Sequence, residues 1–121
     1  MEQLYEFFNK KLKETPHFFH RYKYSEIKWN GRFFGLVGPR GVGKSTMLLQ
    51  YIKENLTVAD TLYVSADHMY FSTNSLVDLA DRFVKMNGKH LFIDEIHKYP
   101  GWSRELKQIY DTHRELQVVI S

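Results

Sequence analysis

One stretch narrows what this chain can fold into more than any other: Gly38-Pro39-Arg40-Gly41-Val42-Gly43-Lys44-Ser45-Thr46. It satisfies G-x-x-x-x-G-K-[ST] and stands between two patterns of different period. Before it, "RFFGLVG" is an apolar run that reads as a buried strand. After it, Met47, Leu48, Tyr51 and Ile52 recur at helical spacing. The alternative is a glycine-rich turn that merely happens to precede a helix, but strand, loop and helix in this order are the context in which the residue types have a chemical purpose. Gly38, Gly41 and Gly43 let successive backbone N–H groups turn inward around an anion. The helix that begins near Lys44 aims its positive end at the same place. Lys44 adds a mobile charge suited to β- and γ-phosphates, and the Ser45 hydroxyl is a Mg²⁺ ligand of the hard-oxygen kind.

The rest of the chain alternates in the same way. Leu4, Phe7, Phe8 and Leu12 share one helical face, and Pro16 lies at or just beyond the end of that helix. Residues 17 to 31 are aromatic and basic without clear period, and Asn30-Gly31 marks a turn. "DTLYVSAD" reads as a second strand. Leu76, Leu79, Ala80 and Phe83 predict a helix closed by Asn87-Gly88, "HLFID" a third strand, Trp102, Leu106, Ile109 and Tyr110 another helix, and "LQVVIS" a fourth strand. Strand–helix alternation predicts an α/β fold of three layers, α/β/α, with a mostly parallel sheet and an N-terminal helix in front of it.

A phosphate loop needs an acid at the end of a neighbouring buried strand. "HLFIDE" supplies one: Asp94 emerges where ligands bind in open α/β sheets, and Glu95 follows. Asp94 is therefore the expected Mg²⁺-side acid and Glu95 the expected base that polarises an attacking water. The tetrad Asp94-Glu95-Ile96-His97 also has the form of a helicase DExH box, but no Ser-Ala-Thr segment follows and 121 residues hold no second motor domain. His97 reads as lining the loop after the strand. A guanine reader of the Asn-Lys-x-Asp type is absent.

"GPRGVGKST", "YVSAD", "LFIDEIHKYPGWSRELKQIYD" and "LQVVIS" resemble the corresponding segments of a bacterial and archaeal group of AAA+-superfamily ATPases, in which an ATPase core precedes a C-terminal domain of poorly known role. The resemblance covers residues 32 to 121. It implies ATP as the nucleotide, Lys44 and Ser45 as phosphate and Mg²⁺ contacts, Asp94 and Glu95 in the roles above, and a phosphate-loop strand next to the last strand here. It further implies a lead-in segment (1–31) and a core (32–121) cut short after its fourth strand. Ser121 would then stand at or near the polar sensor position. A fifth strand and helical lid would be missing, so weak or no ATPase activity and self-association through the open sheet edge are expected. Arg104 and Arg114 are arginine-finger candidates by location only and read as surface charges.

Two further enzyme classes and one binding class compete: a P-loop phosphotransferase, a DExH helicase fragment, and a non-hydrolysing nucleotide switch read by a protein partner that the sequence does not name. The formal charge is +3, with Lys10, Lys11, Lys13, Arg21, Lys23, Lys28 and Arg32 crowded into the first quarter. That bias reads as a solvated face, since no nucleic-acid motif accompanies it and nucleic acid is unsupported as a partner. No apolar run approaches the ~18 residues of a membrane span, and the acidic, interrupted N-terminus is not a signal peptide, so a cytoplasmic protein is expected. Asp67 could help hold water or Mg²⁺, although a capping role suits it better. Trp29 or Tyr24 could stack on adenine or pack in the core. The histidines show no metal spacing, with His17/His20 a weak pair, and Met47, Met69 and Met86 read as packing.

Overall fold

The structure, a computed structural model, describes residues 1–15, 32–36 and 43–121, with Phe34 by its backbone alone. Four helices and four strands alternate along it. They are α1 (Glu2–Glu14), β1 (Phe33–Gly35), α2 (Lys44–Asn55), β2 (Thr61–Ser65), α3 (Leu76–Lys85), β3 (His90–Asp94), α4 (Trp102–Thr112) and β4 (Gln117–Ile120). The strands form one parallel sheet in the order β1-β4-β3-β2. β1 thus lies beside the last strand, as the family resemblance implies, and β2 and β3 run side by side with Ser65 opposite Asp94.

Alternation along the strands distributes side chains to two helical layers. Tyr63 of β2 stacks on Phe7 of α1, and Phe92 of β3 meets Tyr51 of α2. These contacts put α1 and α2 over one face. On the other, Phe33 of β1 packs edge-on against Tyr110 of α4, and α4 packs on α3. The core is continuous through both layers: Leu4, Phe8, Leu48, Ile52, Leu62, Leu91, Ile93, Leu79 and Phe83 are all within a few per cent of complete burial.

Helix ends are held by specific partners. Lys53 of α2 donates to the carbonyls of Leu12 (2.9 Å) and Thr15 (2.8 Å), closing the C-terminus of α1. The N-terminus of α3 is capped by the Ser75 hydroxyl, which accepts from the Asp78 N–H at 3.0 Å. Glu105 of α4 accepts from the Val77 N–H at 3.1 Å. Arg32 donates to the carbonyls of Tyr110 and His113 at the end of α4, and its guanidinium lies 4.0 Å from the centre of the Tyr110 ring.

Some expectations are corrected. Gly35, inside the run "RFFGLVG" that reads as buried, is exposed, while Val37 and Gly38 at the end of that run lie outside the described residues. Met47 packs in the core, but Met69 and Met86 are 75% and 52% exposed. Neither lies on a buried helical face: Met69 opens a 3-10 turn and Met86 follows the last residue of α3. Tyr110, at the eighth step of an apolar stripe, is 48% exposed and lies under Arg32 instead of inside. Residues 17–31, with Trp29, Tyr24, His17 and His20, lie outside the described residues. Among the described residues no helix is long and apolar enough to cross a membrane.

Candidate functional site

The carboxyl ends of β2, β3 and β4 converge on the N-terminus of α2. Gly43 precedes that helix with φ 80°, a left-handed conformation that glycine adopts without a Cβ penalty. Lys44, Ser45 and Thr46 form the first turn, where backbone N–H groups have no partner within the helix. Gly38, Pro39, Arg40, Gly41 and Val42 lie outside the described residues.

β3 ends at Asp94, and its carboxylate is only 4% exposed. Three donors satisfy it. The Ser45 hydroxyl donates to Oδ2, and the Tyr63 phenol donates to the same oxygen at 2.5 Å. The backbone N–H of Glu95 donates to Oδ1 at 2.9 Å. A buried carboxylate is tolerable only when so compensated. Burial raises the pKa of Tyr63 far above the usual phenol range, and the neighbouring Asp94 charge and their hydrogen bond raise it further. The phenol is therefore a permanent donor.

Glu95 takes φ 55°, a left-handed conformation uncommon outside glycine. Its side chain is part-exposed, 3.4 Å from Nε2 of His97 on the short 3-10 turn Ile96–Lys98. That turn is tied to the end of β4: Ile96 N–H donates to the Ser121 carbonyl and Ser121 N–H to the Ile93 carbonyl, both at 2.9 Å. The Ser121 hydroxyl is buried, with no hydrogen-bond partner among the described residues.

Two clefts share this wall. One, of about 250 Å³, is lined by Gly43, Lys44, Ser45, Thr46, Asp94, Glu95, His97 and Ser121. The other, of about 340 Å³, runs from Ser45, Asp94 and Glu95 past Tyr63 and Ser65 to Phe7, Lys11, Glu14 and Thr15. The structure thus brings the end of the glycine-rich motif, both acids and Ser121 to one place. Asp67 is not among them: it is exposed and accepts from the Ser65 hydroxyl in the turn after β2. His68 is the cap there, its Nδ1 accepting from the Tyr70 N–H. Arg104 is exposed on α4, and Arg114 is exposed in the turn before β4, at the opposite end of the sheet from the acids. Lys10 and Lys13 are solvated. Among the described residues no three His, Asp or Glu gather as a metal cage.

Sequence reasoning missed Tyr63. The signal available was a polar-tipped aromatic between the aliphatic Leu62 and Val64, of the same parity as Ser65 at the strand's end. Its partner cannot be named without knowing that β2 and β3 are neighbours.

A family model described as an AAA domain matches residues 30–121. No curated protein and no solved structure shows significant similarity to the chain.

Proposed function

The chain belongs to the AAA-domain family of P-loop ATPases, a nucleotide-binding family, and from that premise we propose that it binds Mg·ATP and, when the core is complete, hydrolyses the β–γ bond by in-line attack of water. The observation that carries this reading is the hydrogen bond between Ser45, in the first turn of α2, and Asp94, at the end of β3. A hydroxyl and a carboxylate joined at a helix N-terminus are hard oxygens suited to Mg²⁺, which prefers one or two such groups plus phosphate oxygens to an all-protein cage. When bound, Mg²⁺ neutralises charge on the β- and γ-phosphates.

The remaining roles fall to this chain's own groups. Gly38 to Thr46, Pro39 apart, supply backbone N–H groups and the helix end for the phosphates, and Lys44 supplies a positive charge. Asp94 holds the Ser45 hydroxyl in place. Glu95, part-exposed beside the cleft, orients and polarises the water. Ser121, which lines the same cleft, is the residue assigned a polar contact with a γ-phosphate oxygen.

Calorimetric titration of ATP with Mg²⁺ into wild type and Lys44→Ala tests the binding half: the variant loses at least ~10-fold in affinity, and undiminished affinity overturns the phosphate-loop assignment. A phosphate-release assay tests the chemical half. Glu95→Gln retains ATP while turnover falls by about 100-fold or more, as for loss of a positioned general base. One observation favours a second reading, a nucleotide switch that does not hydrolyse: the Glu95 carboxylate is engaged by His97. Wild type that retains stoichiometric ATP without releasing ADP would select it.

A further inference from the structure

We propose that Tyr63 is a positioning residue for the Mg²⁺-side acid, its phenol locking the Asp94 carboxylate into the orientation that the nucleotide site uses. The inference rests on the Mg·ATP reading above and adds to it a residue from outside the phosphate loop and the acid pair.

The geometry is specific. Tyr63 and Asp94 lie on adjacent parallel strands, with Tyr63 opposite Phe92 and Ser65 opposite Asp94. The phenol therefore has to reach two residues along its neighbour, and its oxygen stands 2.5 Å from Oδ2. The ring is 3% exposed and lies parallel to Phe7 of α1, with centroids 6.3 Å apart. It has little freedom to aim elsewhere. Leu62 and Val64 on either side are completely buried aliphatics. A phenylalanine would serve packing equally well here, and a hydroxyl in this setting is costly unless it is hydrogen-bonded.

Of the three donors to Asp94, the Tyr63 phenol is the one whose role does not change when the site fills. Ser45 is itself a proposed metal ligand, and the Glu95 N–H belongs to a loop residue in an uncommon backbone conformation. Two donors from different elements converge on Oδ2 and one on Oδ1, so the carboxylate plane is fixed before any ligand arrives. Such outer partners of a metal-side acid typically matter about 10- to 100-fold in metal affinity.

The test uses the full chain and a fluorescent N-methylanthraniloyl ATP, titrated in EDTA and then with MgCl₂, for wild type, Tyr63→Phe, Asp94→Asn and the double variant. Thermal melts verify that each is folded. Tyr63→Phe is expected to leave Mg²⁺-free nucleotide affinity within about 2-fold and to raise the half-saturating MgCl₂ concentration about 10-fold. In the Asp94→Asn background the same substitution is expected to add nothing, since the two act through one contact. If Asp94→Asn raises the Mg²⁺ requirement while Tyr63→Phe does not, the Tyr63 inference alone is overturned. It is overturned likewise if Tyr63→Phe weakens binding equally with and without Mg²⁺, or costs as much in the Asp94→Asn background, because that is a packing role. If Asp94→Asn itself binds as wild type does, the reading of the acid fails, and the role of Tyr63 falls with it.

Discussion

Gly88 stands where the fold leaves no space for a side chain. A Cβ placed there would stand 2.5 Å from atoms of the Phe83 ring, which is 1% exposed and has no room to retreat. The N–H of Gly88 also donates to the Phe83 carbonyl at 2.8 Å, so the backbone cannot drift away from the ring. Gly88→Ala is expected to destabilise the molecule by about 1–3 kcal/mol, the usual cost of overpacking. A thermal or urea melt checks it, and nucleotide affinity at a permissive temperature should be unchanged. Asn87-Gly88 is readable from sequence as a helix stop, and Asn87 does take φ 66°. What the sequence does not carry is that Gly88 is also demanded by the ring five residues earlier. A turn propensity is local; the absence of space is not.

At the level of elements, period and punctuation carry most of the information. "HLFID" is β3 residue for residue, and each apolar stripe has become a helix. Errors fall where burial depends on partners rather than on period. Tyr110 continues its stripe yet lies outside, because Arg32 from before β1 reaches over it to cap α4. Met69 and Met86 are apolar but belong to a turn and a helix end. The contact among Ser45, Tyr63 and Asp94 spans 31 and 49 residues and exists only through strand order and register. The acids and the phosphate-loop motif are legible one by one, but the group that joins them is not. Equally illegible is the partner of α1. Lys53 fastens that helix to α2 through two carbonyls, a charge-assisted pair in a half-buried setting. Lys53→Met keeps the aliphatic stem and removes the donor, at an expected ~1–2 kcal/mol. Hydrogen exchange should report faster opening of α1 amides, with those of β3 unchanged.

For the molecule as a whole, the sheet order leaves β1 paired on one side only among the described residues. Leu36 N–H donates to the Ile120 carbonyl and Val118 N–H to the Arg32 carbonyl, so the even-numbered residues of this segment bond to β4. By strand alternation, Phe33 and Gly35 direct their N–H and C=O groups to the far edge. Such a row is a template for another chain. Concentration-dependent self-association of the 121-residue chain is therefore expected. Gly35→Pro, which removes an outward donor without touching the ladder to β4, should reduce it by a factor of about three or more. Sedimentation velocity across a concentration series decides, and an unchanged distribution in Gly35→Pro places the contact elsewhere.

The left-handed backbone at Glu95 has a consequence for how such a molecule is improved. A non-glycine residue held at φ 55° costs on the order of 1–2 kcal/mol, against a total stability of roughly 5–15 kcal/mol for a domain of this kind. Glycine would relieve that strain and alanine would not. Directed selection for heat resistance alone would thus drift toward glycine at position 95 and report progress while discarding the acid proposed to polarise the water. Here durability and chemistry are competing objectives at a single codon, and any library built for the first should hold that codon fixed.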